Sequence, residues 1–329
     1  MPKLLLYITL LSALLAACET DPDIFIDSEP QPVIFGIINR SETVHYLKIG
    51  RTFGAKSEPR ESVGIWDSLY FREVHAEIEI YDIHRRNRTL IIPERVTEVP
   101  KDSGLFLAPG QELYRFEYAF RWAFKNAPPY EVTVRVGVPE LPMALVKINV
   151  VNLDYLNTPT HVQQFFLLEP ASPIRIQWDG NPWNEIDVSF EIEEKLPDRK
   201  RSRWIHIQNT NYSISPHDKY REMTITYDEF LRELAQHIPL DPEVKTRRFG
   251  NINIEISGGD ENMVNYIRYY GGYTDFNLNG YSNIENGIGL LASRCHFRKD
   301  SLHFDYETIQ SFLADSRLRY LKLDPYQEK

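Results

Sequence analysis

The residues best spaced for chemistry lie near the C-terminus, in Asp275-Phe-Asn277-Leu-Asn279-Gly280. This spells the opening of a calcium loop, with oxygen ligands at positions 1, 3 and 5 and a glycine at 6 for the sharp bend. Position 12, where a bidentate Glu belongs, is Asn286, and Glu285 comes one residue early. Asp275, Asn277, Asn279 and Glu285 are the metal candidates, for calcium at low affinity. The stronger expectation is a Gly/Asn-rich turn using left-handed backbone. Elsewhere the spacings of catalysis are missing: there is no G-x-S-x-G elbow, H-E-x-x-H pair, P-loop, or G-x-G-x-x-G after a strand. The nine histidines are scattered. His45, His75 and His206 alternate with apolar neighbours in expected strands and should face solvent or a polar cover. Glu191, Glu193 and Glu194 precede Arg199, Lys200, Arg201 and Arg203 across Leu196-Pro-Asp198. That pattern describes a hairpin with exposed ion pairs of small energetic value; the competing reading is a phosphate or headgroup patch. Trp66, Trp122, Trp178, Trp183 and Trp204 fit either aromatic β-cores or a sugar platform. Paired carboxylates for glycoside hydrolysis need only proximity in space, and the sequence singles out no pair. A protein without enzymatic activity is the expectation.

The N-terminus carries the most specific chemistry. Lys3 precedes an apolar stretch, Leu4 to Ala16, too short to span a bilayer comfortably. Leu15-Ala16-Ala17-Cys18 follows. It resembles the bacterial lipoprotein signal, in which small residues admit the peptidase and the cysteine thiol is acylated to become the new N-terminus. Several acyl chains anchor a protein stably where one does so marginally. The alternative is an ordinary signal peptide with an incidental cysteine. With Cys18 lipidated, Cys295 is the remaining thiol and no internal disulfide forms; Cys295 should be buried and structural. Glu19-Thr-Asp21-Pro-Asp23 is acidic and resembles the tails that direct some Bacteroidota lipoproteins to the outer face of the outer membrane; the alternative is a solvated tether, and the expected location is the periplasmic or the cell-surface face. A net charge of −10 repels phosphate backbones and argues against nucleic acid as a partner.

Behind these residues stands a mainly β body. Of 329 residues, 42% are hydrophobic and 26% charged, which implies packed cores rather than disorder. Val33 to Ile38 and Thr43 to Ile49 flank a turn at Asn39 to Glu42 and form a hairpin. Val74 to Tyr81 alternates, with Val74, Ala76, Ile78 and Ile80 on one face. His84 to Arg88 is a solvated hairpin tip, and Tyr130 to Val136 alternates as cleanly. Gly54 to Asp67, polar and broken by Pro59, is a long loop. Ile174 to Trp178, Ile186 to Ile192, Trp204 to Gln208 and Asn251 to Ile256 are further strands. Thr226 with Glu229 forms a capping box, and Phe230, Leu231, Leu234 and Ile238 share a helical face until Pro239. Glu261 to Tyr270 and Glu307 to Leu313 are shorter helices. Gly280, Gly287 and Gly289 should bend the chain before a strand at Ile288 to Ala292 enters the second domain's sheet.

Several of these segments carry a family resemblance. Pro32-Val-Ile-Phe-Gly-Ile-Ile-Asn39, Val44-His-Tyr-Leu-Lys-Ile49, Arg51-Thr-Phe53, Gly104-Leu-Phe-Leu-Ala-Pro-Gly110 and Tyr281-Ser-Asn-Ile-Glu-Asn-Gly-Ile-Gly289 are similar to a Bacteroidota outer-membrane lipoprotein family known as domain of unknown function 4249. Leu290-Leu291 departs from that family's tendency to place an aromatic after the glycine pair. The resemblance implies a lipoprotein of the outer membrane, often encoded beside a TonB-dependent receptor, with no defined catalytic residues. The organisation expected is a signal peptide (1–17), an acidic tether (18–31), an N-terminal immunoglobulin-like β-sandwich (32–158) and a second β-rich domain with a few short helices (159–329). The function expected is binding of a ligand or partner, as an accessory to a TonB-dependent transporter; the alternative is a surface glycan-processing enzyme or adhesin.

Overall fold

The computed structural model describes residues 29–52, 66–97, 99, 111–121, 130–153, 156–212, 220–271 and 280–325. The chain is mainly β. Its first strands are β1 (Pro32–Asn39), β2 (Val44–Arg51), β3 (His75–Asp82), β4 (Asn87–Ile91), β5 (Glu94–Val96), β6 (Leu113–Glu117), β7 (Tyr130–Gly137) and β8 (Ala144–Asn149). Then come β9 (Leu156–Thr158), β10 (Phe165–Phe166), β11 (Ile174–Asp179), β12 (Trp183–Lys195), β13 (Lys200–Tyr212), β14 (Tyr220–Ile225), β15 (Thr246–Gly259) and β16 (Ile288–Phe304). The helices are α1 (Trp66–Leu69), α2 (Tyr227–His237), α3 (Glu261–Gly271) and α4 (Tyr306–Ala314), followed by a 3-10 turn at Ser316–Leu321.

Two sandwich-like halves share one long sheet, ordered β13-β12-β15-β16-β1-β2-β6-β5. In the near half, β4-β3-β7-β8 forms the facing sheet. Ala76, Ile78 and Ile80 of β3 and Val132, Val134 and Val136 of β7 meet Ile34, Ile38, Leu47 and Ile49 in one core. Alternation decides these strands: each apolar residue on the inner side is followed by one turned away. In the far half the inward residues of β12, β13 and β15 pack against β11, α2 and α4. Phe190, Phe230, Phe249, Phe304 and Phe312 stack and tilt against one another at the centre, an arrangement that adds to simple area burial. Thr226 caps α2 by accepting from Glu229 N, as the spacing implied.

β16 joins the halves. Its first residues pair in parallel with β1, Ile288 opposite Val33 through Arg294 opposite Asn39. From Arg294 to Leu302 it pairs antiparallel with β15. The stretch Ile288 to Ala292, expected to enter the second domain's sheet, therefore pairs with β1 of the near half instead, and Leu291 and Ile284 complete the near core. Along the chain, Val150 is the last residue of the near core before the far core begins at Leu153. Two bulges bend the far sheet. One lies at Gly250 and Asn251, opposite Glu191, whose carboxylate accepts from Asn251 N at 3.2 Å and Nδ2 at 3.0 Å. The other contains Ser301 at φ 60°, and such bulges strengthen local twist.

Candidate functional site

The run Val33-Ile-Phe-Gly-Ile-Ile38 is apolar at every position except glycine, so both faces of β1 are apolar. Ile34 and Ile38 enter the core at 0% exposure, while Phe35 and Ile37 point the other way at 40% and 48%. Register sets their neighbours. Phe35 lies between Leu290 and Lys48, and Ile37 lies beside Ala292. On β2, Tyr46 is 38% exposed, and on β16 Ile288 is 39% exposed. The result is an apolar face across three adjacent strands. A scattered exposed Leu means little, whereas large apolar side chains clustered on one surface mark an interaction site. Each is already half covered, so completing its burial is worth about half of the ~1.5–3 kcal/mol that full burial supplies.

The far half of the same face is polar. His206 Nδ1 donates to Asp187 Oδ2 at 2.8 Å, Ser202 Oγ to Glu191 Oε1 at 2.7 Å, and Arg294 Nη2 to Ser257 Oγ at 3.0 Å. Trp204, 39% exposed, stands opposite Glu191 and next along β13 from His206 on this face. α3 covers one end: Val264 is buried, and its N-terminal Asp260 accepts from Met263 N and Asn262 Nδ2. Burial pushes the Asp260 carboxyl up to about 6, against the pull of those hydrogen bonds.

The charge blocks form the expected β12–β13 hairpin, but their pairs are not all exposed. Glu194 and Arg247 are both solvent-inaccessible, joined at 2.9 Å. Glu194 also holds Arg201 at 2.5 Å and Arg203 at 3.0 Å. Arg247 donates further to the carbonyls of Leu321 and Pro239, and Arg201 to Asp241. Burial alone would raise the Glu194 carboxyl; three guanidiniums overcome it and hold the group below the usual carboxylate range. Arg247 is the residue that block-reading missed, because it sits 53 positions from Glu194. Arg201, Arg203 and Arg247 each have an acceptor within this structural lock, while Arg199 and Lys200 of the same block are exposed outside it.

Other expectations are also corrected. His45 does not face solvent: it is 2% exposed, on the inner side of β2 with Leu47 and Ile49. Its Nε2 donates to the Tyr118 carbonyl at 3.1 Å, and Phe116 and Phe120 pack on its ring. Nδ1 has no hydrogen-bond partner among the described residues, and burial lowers the imidazole's pKa. His75 and His206 are exposed as expected. Trp178 and Trp183 are buried and line no platform. Cys295 is buried as expected, its thiol donating to the Gly258 carbonyl at 3.7 Å.

Leu15, Ala16, Ala17, Cys18, Asp275, Asn277 and Asn279 lie outside the described residues, as do most of the expected loop at Gly54 to Asp67 and the Gly104 to Gly110 segment. Glu285 is described and exposed; its backbone bridges to Leu145 in both directions. The stretch around it is architectural. Asn283 donates to the Leu291 carbonyl at 2.7 Å and accepts from Leu291 N at 3.0 Å, standing in for a strand neighbour. Asn286, at φ 53°, donates to the Met143 carbonyl. Gly289, at φ 127°, approaches β1 so closely that a Cβ would lie 2.0 Å from the Ile34 carbonyl oxygen. Only glycine fits there. Among the described residues no three His, Cys, Asp or Glu side chains gather as a metal site, and no helix is long and apolar enough to cross a membrane. Scanned against models of known protein families and compared with curated proteins, the chain matches none.

Proposed function

We propose that this chain is a lipid-anchored protein of a bacterial outer membrane, held through Cys18, whose body binds a ligand or partner. The observation that carries the reading is Leu15-Ala16-Ala17-Cys18 behind an apolar stretch with a single positive charge. The resemblance at Pro32 to Asn39 and Tyr281 to Gly289 supports it and points to a TonB-dependent receptor as the partner. The test is Cys18→Ser. It should move the chain from the membrane pellet to the soluble fraction, and retention in the pellet would overturn the anchor. Affinity capture from detergent-solubilised envelopes should recover such a receptor; its absence counts against the partner.

One observation favours a second reading, a surface glycan-binding protein. Trp204 is half exposed among hydrogen-bonding side chains on a sheet face, and an aromatic ring beside polar groups can stack on a sugar. Trp204→Ala should then abolish signal on a glycan array. A silent array for the unaltered protein removes this reading.

A further inference from the structure

We propose that the outward apolar face of β1, with Tyr46 and Ile288, lies against the lipid bilayer, so that the body rests on the membrane in one orientation instead of swinging on its tether. The proposal rests on the anchoring reading of Cys18 and adds which surface meets the membrane.

Where the tether ends is the main argument. Gln31 N donates to Thr52 Oγ1 at 2.9 Å, and Thr52 N donates to the Gln31 carbonyl at 3.0 Å. The chain therefore leaves the body at a fixed point beside Pro32, and the next outward residues, Val33, Phe35 and Ile37, are the apolar face itself. The tether, residues 18–31, spans at most about 50 Å fully extended. An anchored Cys18 thus keeps β1 within reach of the bilayer. Attachment makes the second contact intramolecular, so a small patch suffices at the high effective concentration a short tether creates. The acyl chains supply affinity and the patch supplies orientation.

Composition fits a lipid surface. The exposed side chains are two aliphatic and two aromatic. Tyr46, an apolar ring with a polar tip, is of the type found where bilayer meets water. Lys48 stands opposite Phe35, and long cationic side chains of this kind lay their stems on apolar surface; Arg115, opposite Tyr46, is ion-paired with Glu117 and Glu94 at the rim of the patch. The far half of the face, from Asp187 to His206, exposes one such aromatic, Trp204, set among hydrogen-bonded polar side chains.

The test uses the full, acylated chain reconstituted in phosphatidylethanolamine–phosphatidylglycerol vesicles that contain brominated lipid. Ile37→Cys and, separately, Gln208→Cys carry a polarity-sensitive fluorophore; Cys295 is buried and Cys18 is consumed by acylation. Quenching at position 37 should exceed that at position 208 by about three-fold or more, as for a side chain seated at the headgroup–acyl boundary. Adding Phe35→Asp should bring position 37 down to the level of 208 with far-UV circular dichroism unchanged. Equal quenching at the two sites in floating protein overturns the proposal and leaves the anchor standing. Shielding at 37 without bromine quenching, and dependent on protein density, would identify a second copy as the occupant and also overturn it. Failure of the acylated chain to float overturns both readings.

Discussion

Along a single sheet the outward side chains change character at Arg294. On the near side, β1, β2 and the start of β16 turn Phe35, Ile37, Tyr46 and Ile288 outward, half exposed. On the far side, β12, β13 and β15 turn out Asp187, Glu191, Trp204, His206 and Glu255, most of them hydrogen-bonded to a neighbour. The interiors differ less, in how completely each encloses its ion pair. The near core encloses His45, whose Nδ1 has no hydrogen-bond partner among the described residues, and at its edge the solvent-inaccessible Glu112, which pairs with half-exposed Arg95 and accepts from the Tyr114 hydroxyl. The far core encloses the Glu194–Arg247 lock. The near half has an apolar surface that water covers poorly, and the far half has a charged interior that needs every partner it holds.

The sharpest break of this comparison is Arg247→Met. It leaves Glu194 buried beside two partly exposed arginines, and removing one member of a buried pair costs about 3–5 kcal/mol. Hydrogen exchange should accelerate most in β12, β13 and β15, with β3, β7 and β8 less affected. Uniform acceleration would show that β16 couples the halves into one unfolding unit.

Next in size is a pair of substitutions on one strand. Ile34→Ala empties a core position and should cost about 2–5 kcal/mol. Ile37→Ser, three residues on but facing outward, should cost about 0.5 kcal/mol or less in the detergent-free soluble body. Chemical denaturation of both variants checks this, and similar losses would mean the outward face is covered within the chain.

A smaller contrast follows from protons. Asp260 has its carboxyl raised to about 6 in the folded state, above the ordinary 3.9. The folded state therefore binds this proton more tightly, and its contribution favours folding at low pH and is lost as pH rises from about 4 to 6. Asp260→Asn, which keeps the cap on α3, should stabilise by up to about 3 kcal/mol at pH 7.5 and by little at pH 4. His45 works the other way. With its folded pKa lowered by burial, its stability contribution is present above pH 6.5 and is lost as pH falls below that value. Acidification from pH 7 to 5 should weaken protection around β2 and strengthen it around α3, as read by exchange corrected for intrinsic rates.

Much of this body is legible from local pattern. Alternation in Val74 to Tyr81 and Tyr130 to Val136 marks strands with their inner faces, and Thr226 and Glu229 mark the start of α2. These signals are local because side-chain period and capping act over a few residues. What joins the halves is not local. Ile288 pairs with Val33 across most of the chain, and no periodicity reports a parallel neighbour that distant. His45 follows the alternation of β2, but which face is inner depends on β7 and β6, so its burial is a tertiary fact. The apolar face does have a sequence signal: an apolar run is typical of strands covered on both sides, and among the described residues no second sheet covers the outward side of Val33 to Ile38.

The claim that one half of the outer face is covered and the other wetted is tested most directly by hydroxyl-radical footprinting of the acylated protein, on vesicles and in the detergent-free body released by proteolysis of the tether. Phe35 and Tyr46 should be protected several-fold on vesicles relative to the released body, while Trp204 and His206 oxidise equally in both. Equal oxidation of Phe35 and Tyr46 in the two states, or protection of Trp204 alone, would contradict it.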